Sequence, residues 1–250
     1  MLTEAVIPFD ERRDFISLKD EKAMIAFAVE HWIHSARRAI QQKGRFAVAL
    51  SGGSTPKAIY RALAETKEVE WEKVFLFWSD ERAVPPTHPE SNYYMAMEAG
   101  LKQVSIPKSQ IFRMVAEEKI EKNAKEYEEK IRHNLGSSLF DLVMLGMGED
   151  GHTASLFPGT EALRIEDRLA TSNFAGPKKG WRMTLTFPCL EQSAHLAIYA
   201  AGKKKGITLA QVLTASIDSP WPASRLGTPS RKALWILDQE AANELSLLES

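Results

Sequence analysis

At 250 residues the chain is long enough to bury a substantial core and suits one α/β domain spanning residues 1–250. Its 32 Lys and Arg against 33 Asp and Glu leave no global field to draw nucleic acid or an anionic membrane, so any anion must be held by a local site. Cys189 is the only cysteine, which excludes an internal disulfide and a cysteine-based metal cluster. The opening MLTEAVIPFDERRDF lacks a signal-peptide core and no run approaches about 18 apolar residues, so a cytoplasmic protein is expected.

After an N-terminal edge strand, apolar residues at helical spacing predict a helix over residues 17–42, ended by Gly44. His31 and His34 stand at i, i+3 on it, where a metal could be shared, but without a third ligand they read as ordinary helix residues. RFAVAL at 45–50 is a buried strand running into Ser51-Gly52-Gly53-Ser54-Thr55-Pro56 and the helical pattern AIYRALAE. Thr55 suits the N-cap and Pro56 the first helical position, so free N–H groups and hydroxyls would meet at a positive helix end, a ready phosphate site. Lys57 is not followed by Ser or Thr, so this is no triphosphate-binding Walker loop, and a monophosphate ester fits better. Taken alone, a plain capped helix start is an equal reading.

A third strand within 71–78 ends in Ser79-Asp80-Glu81-Arg82, followed by Pro85, Pro86 and Pro89. The prolines forbid an immediate helix, which predicts a rigid loop able to bring Arg82 to an anion and Asp80 or Glu81 to a hydroxyl. A solvated charged loop is the alternative. Ser91-Asn92 caps a helix over 93–101, and 117–132 is an amphipathic helix whose charges face solvent.

The most informative stretch is DLVMLGMGEDGHTASLFPG, 141–159. Residues 141–145 read as a buried strand; Gly146, Gly148 and Gly151 allow a tight turn close to a ligand; His152 follows beside Asp150. Histidine is the side chain suited to act as a base near neutral pH, which here outweighs a merely structural turn. Residues 153–157 make one helical turn before Pro158-Gly159. The three glycines also fit G-x-G-x-x-G, with Glu166 and Asp167 about 20 residues on. However, Pro158-Gly159 cuts the helix a dinucleotide site needs, and the acids precede the next strand, so no nucleotide is expected.

Strands follow at 168–173 and 183–187, joined by Gly176-Pro177-Lys178-Lys179-Gly180, which reads as an ordinary loop rather than a lid. HLAIYAA at 195–201 leads through Gly202-Lys203-Lys204-Lys205-Gly206 into the helical ITLAQVL. Lys205 at a helix start opposes the helix dipole unless it faces a bound anion. A loop at 220–229, a strand at 233–237 and a helix from Gln239 complete the chain. In a doubly wound, mostly parallel sheet the strand ends near Ser51, Asp80, Gly146 and Gly202 share one edge, so a phosphate cradle, an arginine, a lysine and a histidine converge. That favours an enzyme acting on a small phosphorylated molecule by base-assisted attack of water or by proton transfer, with no cofactor or metal.

GMGEDGHTASLFPG, SGGSTP, SDERAVPPTHPESNY, RMTLTFPCL, GKKKG and WILDQEAA together resemble the 6-phosphogluconolactonase family over nearly the whole chain. The resemblance implies hydrolysis of 6-phospho-D-glucono-1,5-lactone to 6-phosphogluconate in the oxidative pentose phosphate pathway, on a glucosamine-6-phosphate deaminase-like fold. It makes His152 the general base, with Asp150 shaping its turn or environment. It implies Gly53, Ser54 and Thr55 around the phosphate, and Arg82 and Lys205 neutralising it. Asn92 and Arg182 match without distinct roles, and Asp80 and Gly148 complete the candidate set. The link before Arg182 lacks the proline run often found there. The related deaminases usually read DGHIAFNEP where this chain has DGHTASLFP. A deaminase or isomerase using an acid of the Ser79-Asp80-Glu81 loop, and a non-catalytic phosphosugar sensor, are the alternatives. The expected partner is the phosphosugar lactone, with no nucleic acid or membrane, in a monomer or small homo-oligomer.

Overall fold

The apolar runs become strands because continuous burial on both faces suits Val-, Ile- and Leu-rich parallel strands covered by helices. In the computed structural model, which describes residues 6–137 and 139–246, the chain opens with β1 (Ile7–Pro8), β2 (Arg13–Leu18), α1 (Glu21–Lys43), β3 (Phe46–Leu50) and α2 (Ser54–Glu65). There follow β4 (Val74–Trp78), β5 (Asp80–Arg82), α3 (Asn92–Glu98), α4 (Ile120–Leu135) and β6 (Leu142–Gly146). The remainder is β7 (Ala170–Phe174), β8 (Trp181–Leu185), α5 (Phe187–Gln192), β9 (Leu196–Ala200), α6 (Lys203–Thr214), β10 (Ala233–Asp238) and α7 (Gln239–Ser246).

Seven strands form a central sheet in the order β1-β2-β10-β9-β6-β3-β4, parallel except for the short edge strand β1. The order contains a switch point. From β3 the chain crosses through α2 to β4 on one side, whereas from β6 it proceeds to β9 and β10 on the other. The two connections therefore leave in opposite directions, and a crevice opens beyond the C-terminal ends of the adjacent strands β3 and β6.

Local capping sets the helix limits. Asp20 accepts a hydrogen bond from Ala23 N at 2.8 Å, so α1 begins at Glu21; residues 13–18, partly included in the expected helix, belong to β2. At the other end Gly44, at φ 74°, donates to Ile40 O. α2 starts two residues earlier than expected: Gly53, not Thr55, is the cap residue, and Ser54 is the first residue of the helix.

Two fully buried tyrosines fasten the crevice. Tyr60 on α2 accepts from Ser51 N (2.9 Å) and donates to Ser51 O (2.8 Å), just beyond β3. Tyr127 on α4 does the same for Trp78 N (2.8 Å) and O (3.0 Å) at the end of β4. Each hydroxyl satisfies both backbone groups where a strand ends without exposing them to water.

The strands expected at 168–173 and 183–187 do form, but outside the main sheet. They are β7 and β8 of a second, antiparallel sheet ordered β5-β8-β7, in which Asp80, Glu81 and Arg82 pair with Thr184, Met183 and Arg182. The expected rigid loop at 80–82 is thus a strand; its pairing with a distant segment, not its own sequence, makes it one. α5, absent from the expectations, starts where Thr186 caps Cys189 N. Residues 153–157 make no helical turn: Thr153 bridges Leu156, and Ala154 takes φ 47°.

Candidate active site

The crevice is a cavity of about 460 Å³. Its walls come from the loop after β3 (Ser51, Gly52, Gly53), from β5 and α3 (Asp80, Arg82, Asn92), from the turn after β6 (Gly146 to Glu149, His152), from β8 and its preceding link (Arg182, Lys179) and from α6 (Lys205). Four cations, Arg82, Lys179, Arg182 and Lys205, thus face a space lined by two acids, Asp80 and Glu149. The balance suits an anionic ligand.

The histidine is held by its turn. Gly148 N donates to His152 O (2.9 Å), Gly151 N to Gly148 O (3.0 Å), and Thr153 Oγ1 to Gly146 O (2.9 Å). Gly151 takes φ 68°, and a Cβ there would also strike Trp221 at 2.5 Å, so this position needs glycine twice over. Asp150 Oδ1 hydrogen-bonds His152 Nδ1, and its other oxygen accepts from Lys179 Nζ at 2.7 Å. Partial burial raises the Asp150 carboxyl, but the bonds from Lys179 and His152 overcome this and hold it down to about 2. An ionised Asp150 bound to Nδ1 fixes the proton of neutral His152 on that nitrogen and leaves Nε2 as the basic atom.

The carboxylates of β5 are already occupied. Glu81, buried, accepts from Arg82 N, Asn92 N, Tyr93 N and Ser91 Oγ at 2.8–2.9 Å, anchoring the start of α3. Burial pushes its carboxyl up, against the pull of those four bonds. Asp80 accepts from Ser155 Oγ (2.7 Å) and Asn92 Nδ2 (3.2 Å), and Asn92 Nδ2 also reaches Asp80 O (2.9 Å). Asn92 in turn explains Gly52, where a Cβ would lie 2.0 Å from Asn92 Oδ1.

Arg82 and Arg182 are direct cross-strand neighbours, and among the described residues their side chains donate only to the carbonyls of Glu90 (2.6 Å) and Trp181 (3.0 Å). Burial, then the nearby Arg82, lowers the Arg182 pKa. Like charges opposed across a ladder destabilise it unless an anion joins them. Lys205, in the first turn of α6, is shifted downward by burial, with Glu149, Asp238 and Glu21 opposing the shift.

Gly53, Arg82 and Lys205 therefore meet His152 around one cavity, together with Asp80, Asn92, Gly148 and Arg182. Ser54 and Thr55 do not. They line an adjoining cavity of about 440 Å³ beside Lys19, Glu21 and Asp238, with Lys205 as the shared wall, and Thr55 Oγ1 lies 3.5 Å from Glu21 Oε1. Sequence reasoning missed Lys179, Ser155 and Glu149. The lysine pair just ahead of Arg182 was the available signal for the first; Ser155 had none, since its partner Asp80 is 75 residues away.

Residues 19–235 match the family described as glucosamine-6-phosphate isomerases/6-phosphogluconolactonase. Among similar proteins, the 6-phosphogluconolactonase of Chlamydia pneumoniae is 40% identical over 240 residues, covering 94% of this chain and 92% of its own. That of Nostoc sp. is 41% identical over 237 residues, covering 92% and 97%. The crystal structure of 6-phosphogluconolactonase from Thermotoga maritima superposes with a TM-score of 0.79 at 32% identity, covering 90% of this chain and 99% of that one. On the extent of these matches, the chain belongs to the glucosamine-6-phosphate isomerase/6-phosphogluconolactonase family.

Proposed function

We propose that the protein hydrolyses 6-phospho-D-glucono-1,5-lactone to 6-phospho-D-gluconate, the lactone-opening step of the oxidative pentose phosphate pathway, with His152 as general base. The Asp150–His152 hydrogen bond inside a cation-lined cavity carries this reading. Arg82, Arg182 and Lys205 take the phosphate. Gly53, Ser54 and Thr55 contribute through backbone N–H groups at the start of α2, where the helix dipole favours an anion, rather than through the hydroxyls. With the phosphate anchored, the lactone carbonyl is held beside His152. Nε2 takes a proton from water as the water oxygen attacks C1; the bond from C1 to the ring oxygen then breaks, and His152 returns the proton to that oxygen. Asp150 stays ionised throughout and stabilises the transient imidazolium. Positioning together with a base worth about 10²–10⁴-fold suffices for an already activated ester, without a covalent intermediate.

The test follows 6-phosphogluconate formation from fresh lactone against the spontaneous background, with wild type and His152→Ala in parallel. Acceleration by the wild type that falls about 10²–10⁴-fold in the variant, with phosphosugar binding retained, is expected. Unchanged turnover in His152→Ala would remove the base. No acceleration by wild type would discard the activity, and ammonia release from glucosamine 6-phosphate would be assayed next.

A further inference from the structure

Lys179 belongs to the link between β7 and β8, far in sequence from the turn that carries His152. That link is a closed hairpin: Ala175 N donates to Gly180 O (3.0 Å), and Lys179 N and Gly180 N both donate to Gly176 O (3.1 and 2.8 Å). Gly176 and Gly180 occupy φ 91° and 68°. From this support Lys179 Nζ reaches Asp150 Oδ2 at 2.7 Å and lies 4.2 Å from the centre of the Phe157 ring. Phe157 is buried and packs against the His152 ring at 4.3 Å between centroids. Lys179 thus touches both neighbours of the histidine, by an ion pair on one side and a cation–π contact on the other.

We infer that Lys179 is a positioning residue for the Asp150–His152 pair, pinning the free carboxylate oxygen and the aromatic wall so that the imidazole stands at one orientation in the cavity. The inference rests on the hydrolytic reading of this site. Asp150 Oδ1 is bound to the ring and Oδ2 to Lys179, so the carboxylate cannot rotate without breaking one bond. Lys179 also sets the charge of the pair. The other charged groups lining the same cavity are Glu149 in the same turn and, across it, Asp80, Arg82, Arg182 and Lys205. Removing the Lys179 charge leaves Asp150 less neutralised, so a proton is held more tightly by the pair and is lost at higher pH. Because Lys179 and Asp150 are each about 40% exposed (42% and 41%), water screens the effect and a shift of about half a unit to one unit is expected.

The test uses Lys179→Met, Lys179→Arg and, as a neighbouring control, Lys178→Met. The His152 ring is titrated by nitrogen-15 NMR without substrate, its signals assigned by their loss in His152→Ala, and lactone hydrolysis is measured across the same pH range. Lys179→Met is expected to titrate about half a unit to one unit higher and to move the acid limb of kcat/KM the same way. Its kcat should fall about three- to tenfold with KM within about twofold. Lys179→Arg restores the wild-type titration, and Lys178→Met leaves it in place. A Lys179→Met titration matching wild type, or an equal shift in Lys178→Met, overturns the inference. So does a raised KM with an unmoved titration, which would make Lys179 a substrate-binding cation instead. A shifted titration in an enzyme that does not open the lactone keeps the role of Lys179 and discards the hydrolytic reading; lactone opening with an unmoved titration does the reverse.

Discussion

Replacing Gly148 by alanine perturbs the site without asking the backbone for anything unusual, since Gly148 lies outside the positive-φ region. Its added methyl would meet His152 Nδ1 at 2.1 Å, His152 Cε1 at 2.2 Å and Asp150 Oδ1 at 2.7 Å. Ordinary contact begins at 3.4 Å, so the ring must retreat by roughly 1.3 Å. The main chain resists yielding instead, because Gly148 N is hydrogen-bonded to His152 O. A displacement of about 1 Å costs on the order of 100-fold in rate, or about 2.7 kcal/mol of transition-state stabilisation. The folded state is strained as well: the His152 and Asp150 side chains are 27% and 41% exposed and can swing outward, which keeps the loss within about 1–3 kcal/mol. Lactone hydrolysis above background, read beside a urea denaturation curve, separates the two effects. A Gly148→Ala protein that keeps kcat/KM within about threefold of wild type would refute the argument that this glycine exists to seat the pair.

Two further outcomes follow from Tyr60 and His31, both away from the Asp150–His152 pair. Tyr60→Phe strips Ser51 of both hydrogen bonds and is expected to cost about 1–3 kcal/mol in urea denaturation and to raise KM through the adjoining Gly52-Gly53 wall; an unchanged midpoint would contradict it. His31, packed on α1 against Phe27, is lowered from 6.5 to about 4 by burial and then by His195 and His34, and its Nδ1 has no hydrogen-bond partner among the described residues. The folded protein therefore binds its proton more weakly than the unfolded chain. The stability this contributes is complete above about pH 6.5 and is lost as pH falls towards 4, by up to about 3 kcal/mol. His31→Phe should flatten the dependence of the urea midpoint on pH between 7.5 and 4.5, and an equally steep dependence in the variant would assign the loss to other groups.

Much of the site was legible because its parts are local. The strand of residues 142–146, the glycine turn and the Asp150–His152 spacing lie within one short segment. The parallel sheet was legible from continuously apolar strands separated by helices, and a parallel sheet brings strand ends to one edge. The second sheet was not. β5 is three polar residues whose extended form is stabilised by β8, and no periodicity marks it. Nor was the division between the two cavities: starting α2 at Ser54 places Thr55 beside Glu21, a residue on another helix.

What the sequence determined by itself was therefore the chemistry on offer: a histidine beside an aspartate on a glycine turn, cations at strand ends, and the family to which those motifs point. Tertiary structure decided which of those groups act on one another. Arg82 faces Arg182 only because two strands pair in that register, Asp80 is held by Ser155 from 75 residues away, and Lys179 reaches Asp150 only because the β7–β8 hairpin folds over the crevice. The physical reason is range. Turn conformation and helix capping are set by neighbours a few residues apart, whereas hydrogen bonds and ion pairs act over about 3 Å between groups that only the packed chain brings together.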